Sequence, residues 1–187
     1  MKIGYAFCGS HCTLKKSLAE LKKLCESFEI IPIVSEVVYS TDTRFFLHDD
    51  FIAEVRSITG LDPIHTIKDA EPLGPHSPLD AMIIAPCTGN TLAKIALGIT
   101  DSCVSMAAKA HLRSNRPLLI SLSTNDALSA NLKNIAELIE RKSVFFVPMI
   151  QDDPKNKPHS LVCDYSLLIP SLENALNGKQ SYPIFVN

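Results

Sequence analysis

Residues Asp80–Ser102 read DAMIIAPCTGNTLAKIALGITDS. The opening apolar run is too short for a helix and is closed by a proline, so Asp80–Ala85 reads as a buried strand that Pro86 ends. Thr91–Ile99 then carries apolar residues at helical spacing, and Ser102–Leu112 continues the pattern, as one broken helix or two consecutive ones. Between strand and helix lies a knot of small polar residues, Thr88, Gly89, Asn90 and Thr91. It reads either as a plain loop or as a site presenting hydroxyl, amide and backbone groups to the edge of a flat polar ligand.

The flanking sequence repeats the arrangement. Ile3–Cys8, Ile30–Val38, Pro117–Leu122 and Val144–Met149 read as further strands, and Leu14–Phe28, Asp49–Thr59 and Leu128–Arg141 as helices between them. Leu161–Leu176 reads as a last helix, kinked at Pro170 and stopped at Gly178. Leu61–Leu79 holds prolines at 63, 72, 75 and 78 and reads as an irregular excursion. Strand–helix alternation implies an α/β fold, a parallel sheet with helices on both faces. Such sheets bind ligands beyond the carboxyl ends of their strands, which directs attention to the residues after each strand.

Composition narrows the classes. The 187 residues suit one domain. A hydrophobic content of 46 % supports an ordinary core, and a net charge of −2 without charge runs leaves no footprint for nucleic acid or an anionic membrane surface. No window approaches the roughly 18 consecutive apolar residues of a membrane span. MKIGYAFCGS reads as a first strand rather than a signal peptide, so a cytoplasmic protein is expected. The six cysteines, at 8, 12, 25, 87, 103 and 163, form no CxxC pair and read as reduced, mostly buried thiols.

After the first strand, Gly9-Ser10-His11-Cys12-Thr13 offers a tight turn, two hydroxyls and the amides of a helix N-terminus, a combination suited to phosphate; Ser10 or Thr13 acting as a helix cap is the alternative. No GxGxxG is present. Cys8, His11 and Cys12 lack the further ligands a zinc site needs, so no metal is expected. Ser35 is a candidate second phosphate hydroxyl. Arg44 is a candidate for a ligand carboxylate, against solvation in a polar loop. Ser121, Thr124 and Asn125 close the fourth strand with the same small polar types. Four such strand ends, without an obvious catalytic dyad, describe a site that holds a cofactor by backbone and hydroxyl groups.

The stretch Ala85–Ser102 resembles the signature of the FMN-binding flavoproteins that include cysteine decarboxylases, phosphopantothenoylcysteine decarboxylase and UbiX-type flavin prenyltransferases. Ala85, Pro86, Asn90, Thr91, Ala93, Lys94, Ala96, Gly98, Ile99 and Asp101 carry the likeness, extended by Gly9-Ser10, Ser35 and Asn125. GSHCT, IPIVS, TDTRF, AEPLGP, STNDAL, QDDP and KPHSLV resemble one branch, the B subunits of dipicolinate synthases of endospore formers. The resemblance implies a flavodoxin-like Rossmann three-layer sandwich, homo-oligomers with the flavin at a contact between protomers, and action with a dehydrogenase-like A subunit. The implied reaction oxidises a dihydrodipicolinate-level precursor to dipicolinate.

It further implies a cofactor site of Gly9, Ser10, His11, Thr13 and Ser35 around the phosphate. Pro86, Cys87, Thr88, Gly89, Asn90 and Thr91 would lie by the ring, with Ser121, Thr124 and Asn125 across from them. FMN is the expected cofactor, with NADP, held on the dehydrogenase-like partner, as the alternative. Arg44 and Lys157, with Lys155, are candidates for the substrate dicarboxylate. The sequence departs from other branches. Leu122-Ser123-Thr124-Asn125 keeps only the Asn of the decarboxylases' PxMN, and His76 stands out of register with their histidine. The prenyltransferases' Arg is absent from 121–127, and their Tyr and Arg from 149–162. The alternatives are a non-catalytic companion of the dehydrogenase-like chain and a stand-alone flavin-dependent decarboxylase.

Overall fold

The computed structural model describes residues 1–74 and 76–186. Its elements are β1 (Lys2–Phe7), α1 (Leu14–Leu24), β2 (Glu29–Val34), α2 (Glu36–Ser40), α3 (His48–Thr59), α4 (Ile67–Ala70), β3 (Ala81–Cys87), α5 (Gly89–Leu97) and α6 (Cys103–Leu112). β4 (Leu118–Thr124), α7 (Leu132–Ile139), β5 (Val144–Phe146), β6 (Met149–Ile150), β7 (Leu161–Cys163) and α8 (Leu168–Leu176) complete the chain.

β2, β1, β3, β4 and β5 pair in parallel in that order, the doubly wound flavodoxin-like arrangement. All seven residues of β3 are buried, as expected of a central strand covered on both faces. Alternation along the strands feeds two cores. Met82, Ile84, Leu118, Ile120 and Leu122 pack with Leu92, Ile95, Val104, Ile135 and Leu138 under α5, α6 and α7. Ile3, Tyr5, Phe7, Ile83 and Leu119 pack with Leu18, Leu21, Phe51, Val55, Leu168 and Leu172 under α1, α3 and α8. Each such aliphatic side chain taken from water contributes roughly 1.5–3 kcal/mol.

Several expectations are corrected. The sheet is mixed: β5 pairs with Leu118–Ile120 of β4, while β7 pairs antiparallel with Ser123 and Thr124, and β6 antiparallel with β7. Leu161–Cys163 is therefore strand, where the spacing predicts helix, because the free upper edge of β4 offers backbone partners. β2 stops at Val34, and Ser35 caps α2 instead of extending the strand. Pro86 lies inside β3, whose pairing with β4 shifts register between Ile84 and Cys87. The helix expected from Leu128 begins at Leu132, and the Leu61–Leu79 excursion holds α4 and a bridge from Ile64 to Ile33. Of that excursion, Pro75 lies outside the described residues.

All six cysteines are free thiols, Cys8, Cys87, Cys103 and Cys163 buried and Cys12 exposed. No described helix is long and apolar enough to cross a membrane. Among the described residues no group of three His, Cys, Asp or Glu side chains is placed to hold a metal.

Candidate functional site

β1 and β3 are neighbours whose chains leave in opposite directions, to β2 and to β4. Their carboxyl ends form the switch point where sheets of this order open a crevice. A cleft of about 490 Å³ lies there, within the roughly 300–1,000 Å³ of small-molecule sites. Gly9, Ser10, His11 and Cys12 enter it from the turn after β1, Thr88 from the start of α5, and Ser123, Thr124 and Asn125 from the end of β4. Arg44 and Phe45 close one side, and Asp152, Lys157, Ser160 and Val162 the other.

Local chemistry sets each position. The hydroxyl of Ser10 crosses the cleft floor and donates to Ser123 Oγ at 2.9 Å, while Thr13 donates to the Ser10 carbonyl at 2.9 Å. Ser10 caps no helix with its side chain, and its hydroxyl points across the cleft to Ser123 instead. The amides of His11 and Cys12 have no backbone acceptor among the described residues and remain donors. Thr88 does cap α5, receiving the Thr91 amide at 3.3 Å, and donates to Thr91 Oγ1, which donates on to Cys8 Sγ at 3.4 Å.

The cations differ in their commitments. The Arg44 guanidinium sits 4.8 Å from the Phe45 ring centroid and has no carboxylate partner among the described residues. Lys157 is held by Asp152 at 3.1 Å, which raises its pKa; Asp152 also accepts from Ser160, and its own pKa is lowered against the opposing effect of burial. His11 keeps Nδ1 buried without a hydrogen bond, and desolvation holds its pKa below the usual histidine range.

Of the residues singled out from sequence, Gly9, Ser10, His11, Arg44, Thr88, Thr124, Asn125 and Lys157 converge on the cleft. Thr13 is buried beside it. Ser35 faces its own helix, where it accepts from Val38 N at 3.5 Å. Pro86 and Cys87 are buried within β3, Thr91 is buried under Thr88, and Ser121 is buried with an unpartnered Oγ. Gly89 lies beneath the cleft, and Asn90 is exposed on the first turn of α5, outside the lining. Lys155 and His76 are exposed and do not line it. Sequence reasoning misses Ser123, Asp152, Ser160 and Val162. The two-residue period of a strand places Ser121 and Ser123 on one face, a signal available for Ser123. The others arrive through the β6–β7 hairpin, which no local pattern announces.

The Flavoprotein family model matches residues 1–167 of the chain. The B subunit of dipicolinate synthase from Bacillus subtilis (strain 168) is 45 % identical over 186 residues, covering 99 % of this chain and 93 % of that protein. The chain belongs to the flavoprotein family, in the branch of the dipicolinate synthase B subunits. A crystal structure of the corresponding B subunit from Bacillus halodurans C superposes on this flavoprotein with a TM-score of 0.91 at 40 % identity, covering 100 % of this chain and 96 % of that one. The FMN-dependent cysteine decarboxylase SpaF shares the fold, with a TM-score of 0.68 at 21 % identity and 95 % of each chain covered. The cleft lining of this flavoprotein holds a neutral imidazole, a thiol, two cations, a carboxylate and many neutral donors; the Ser160 hydroxyl donates to Asp152, which Lys157 also engages, and no hydroxyl or thiol of the lining is hydrogen-bonded to the imidazole among the described residues. Such a lining binds and orients more readily than it attacks.

Proposed function

We propose that this flavoprotein is the FMN-binding B subunit of a dipicolinate synthase. It would act with the A subunit in the oxidation of a dihydrodipicolinate-level precursor to dipicolinate. The observation that carries the reading is the convergence of Ser10, Ser123, Thr88 and Asn125 at the β1/β3 switch point. These neutral donors, with the free amides of His11 and Cys12, suit a phosphate joined to a flat polar ring. Gly9 and Ser10 would hold the phosphate, with Thr13 bracing Ser10 from behind. Thr88 would meet one side of the ring, and Ser123, Thr124 and Asn125 the other. Ser35 and Thr91 would support this cradle from behind, through the α2 cap and the contact with Cys8.

Aromatisation removes a hydride and a proton from the substrate, and a bound flavin supplies the hydride acceptor that no amino-acid side chain provides. Within the chain, Arg44 offers an uncommitted cation to a substrate carboxylate, and the neutral imidazole of His11 can take the proton. Asp152 holds Lys157 at the rim until a competing anion enters. The same reading includes homo-oligomers, for which exposed Leu97, Leu132 and Ile139 offer apolar surface, and a cytoplasmic setting in an endospore-forming cell. NADP on the dehydrogenase-like partner is the other source of the oxidant.

The test is the absorbance spectrum after FMN loading and desalting. Wild type is expected to keep a flavin band and Ser10→Ala combined with Ser123→Ala to lose it; a wild type that releases all FMN defeats the proposal. That no hydroxyl or thiol of the cleft is hydrogen-bonded to its imidazole among the described residues favours a second reading, a cofactor-carrying partner that does no chemistry itself. That reading requires His11→Ala to leave the rate of the reconstituted two-component synthase unchanged.

A further inference from the structure

Phe45 is 41 % exposed, yet it lines the cleft at the ends of β1, β3 and β4. Single exposed apolar residues are common on protein surfaces, so exposure alone carries nothing. The turn that holds this one is built. Between α2 and α3, the Thr43 amide donates to the Phe46 carbonyl at 3.0 Å, and Thr43 Oγ1 accepts from the amides of Phe45 and Phe46 at 3.2 and 3.4 Å. Asp42 closes the base of the turn, accepting from the His48 amide at 3.0 Å and pairing with the His48 ring Nδ1 at 2.6 Å. Phe46 packs inward, its ring centroid 5.4 Å from that of His11 and 5.0 Å from that of Phe51. Of two consecutive phenylalanines, one anchors the turn and the other stands at the cleft.

Each side of the cleft then carries one cation beside one apolar side chain. Arg44 lies 4.8 Å from the Phe45 ring centroid on one side, and Lys157 and Val162 stand on the other. A guanidinium stacks on an aromatic face and still presents its N–H fork at its edge, so packing on Phe45 leaves Arg44 able to meet a carboxylate. The rest of the lining is glycine or carries a polar side chain or a thiol, which makes Phe45 and Val162 its two hydrocarbon side chains. A slot with an apolar group and a cation on each side suits a flat ring bearing two anionic groups better than a puckered one, because flat rings pack against a phenyl by stacking or by edge. We propose that Phe45 is a specificity-determining residue, whose phenyl packs against the ring of a planar dicarboxylate while Arg44 meets one of its carboxylates. That the ligand is a dicarboxylate rests on the function proposed above. The preference for a flat ring rests on Phe45 and Val162.

The experiment is calorimetric titration of the full chain, with FMN and without it, using two probes of equal charge: flat benzene-1,3-dicarboxylate and puckered cyclohexane-1,3-dicarboxylate. Wild type is expected to bind the flat probe more tightly. Phe45→Leu should weaken the flat probe by about two- to tenfold, the scale of one aromatic pair, and leave the puckered probe unchanged, whereas Phe45→Tyr should keep the preference. Arg44→Gln should weaken both probes by about tenfold, the scale of a charge-assisted hydrogen bond. Because Phe45 is exposed, Phe45→Leu should melt as wild type does. The chain has no tryptophan, so Phe45→Trp supplies a single fluorophore at the cleft, and the flat probe should change its emission on binding. Unchanged emission with the flat probe bound overturns the inference. So does a wild type that binds neither probe, or both alike, and so does an equal loss of both probes in Phe45→Leu, which would make the phenyl only a support for Arg44. A chain that releases FMN but keeps the Phe45-dependent preference upholds the inference and removes the flavin reading, which separates the two.

Discussion

Gly89 shows how tightly the floor of the first cleft is assembled. A Cβ there would stand 2.5 Å from Asn131 Nδ2, 2.7 Å from Thr124 Oγ1 and 2.8 Å from Asp126 Oδ1. Those three side chains hydrogen-bond one another, Thr124 and Asn131 both donating to Asp126, so none can withdraw alone. Gly89→Ala should therefore lower stability by about 1–3 kcal/mol, the usual penalty for overpacking, read as a shift of the urea midpoint. At His111, Nε2 donates to the Pro117 carbonyl at 2.9 Å, which fixes the neutral tautomer. Burial lowers its pKa, against the opposing effect of that hydrogen bond. The folded state thus resists protonation that the unfolded chain accepts. The stability contributed by the neutral ring is complete above the unfolded value of about 6.5 and is lost as pH falls from there through the lowered folded value. Urea midpoints should decline over that interval, and His111→Gln should flatten the decline.

At the scale of elements, the two ends of α5 are held by different parts of the chain. Thr88 closes the first turn locally, as a Thr before a helical run leads one to expect. Gly98, at φ 72°, turns the chain out of the last turn. The carbonyls of Ile95 and Ala96 are met by Arg141, at 3.3 and 2.7 Å, from beyond α7. Arg141→Met keeps the apolar stem and removes these bonds; a loss of about 0.5–1.5 kcal/mol is expected in denaturant unfolding, with FMN retention unaffected because the change lies at the far end of the helix. Local sequence announces Thr88 and Gly98. It is silent on Arg141, whose role depends on an approach across some 45 residues. The hairpin of β6 and β7 shows the same limit. Leu161–Cys163 is three residues long, and apolar runs of that length carry no period that separates strand from helix.

For the whole molecule, a ligand bridging the ends of β1, β3 and β4 binds only when those strands are aligned, so binding must stabilise the fold by mass action. FMN at about 100 times its dissociation constant should add roughly 2.7 kcal/mol, visible as a rise in melting temperature that Ser10→Ala with Ser123→Ala abolishes. The alternation of strand and helix, the buried parallel strands and the small polar residues after each strand were all legible in the chain itself. Strand burial is written in continuous apolar runs, helices in a 3.6-residue period, and strand ends in glycine, proline and hydroxyl residues, all local signals. What tertiary structure alone decided was which strand-end residues meet. Ser10 and Ser123 lie 113 positions apart and share a hydrogen bond, whereas Ser35, equally promising in sequence, turns to its own helix. The antiparallel hairpin that carries Asp152, Lys157 and Val162 to the same place was likewise decided in three dimensions, because it answers to the unpaired edge of β4 rather than to any pattern of its own.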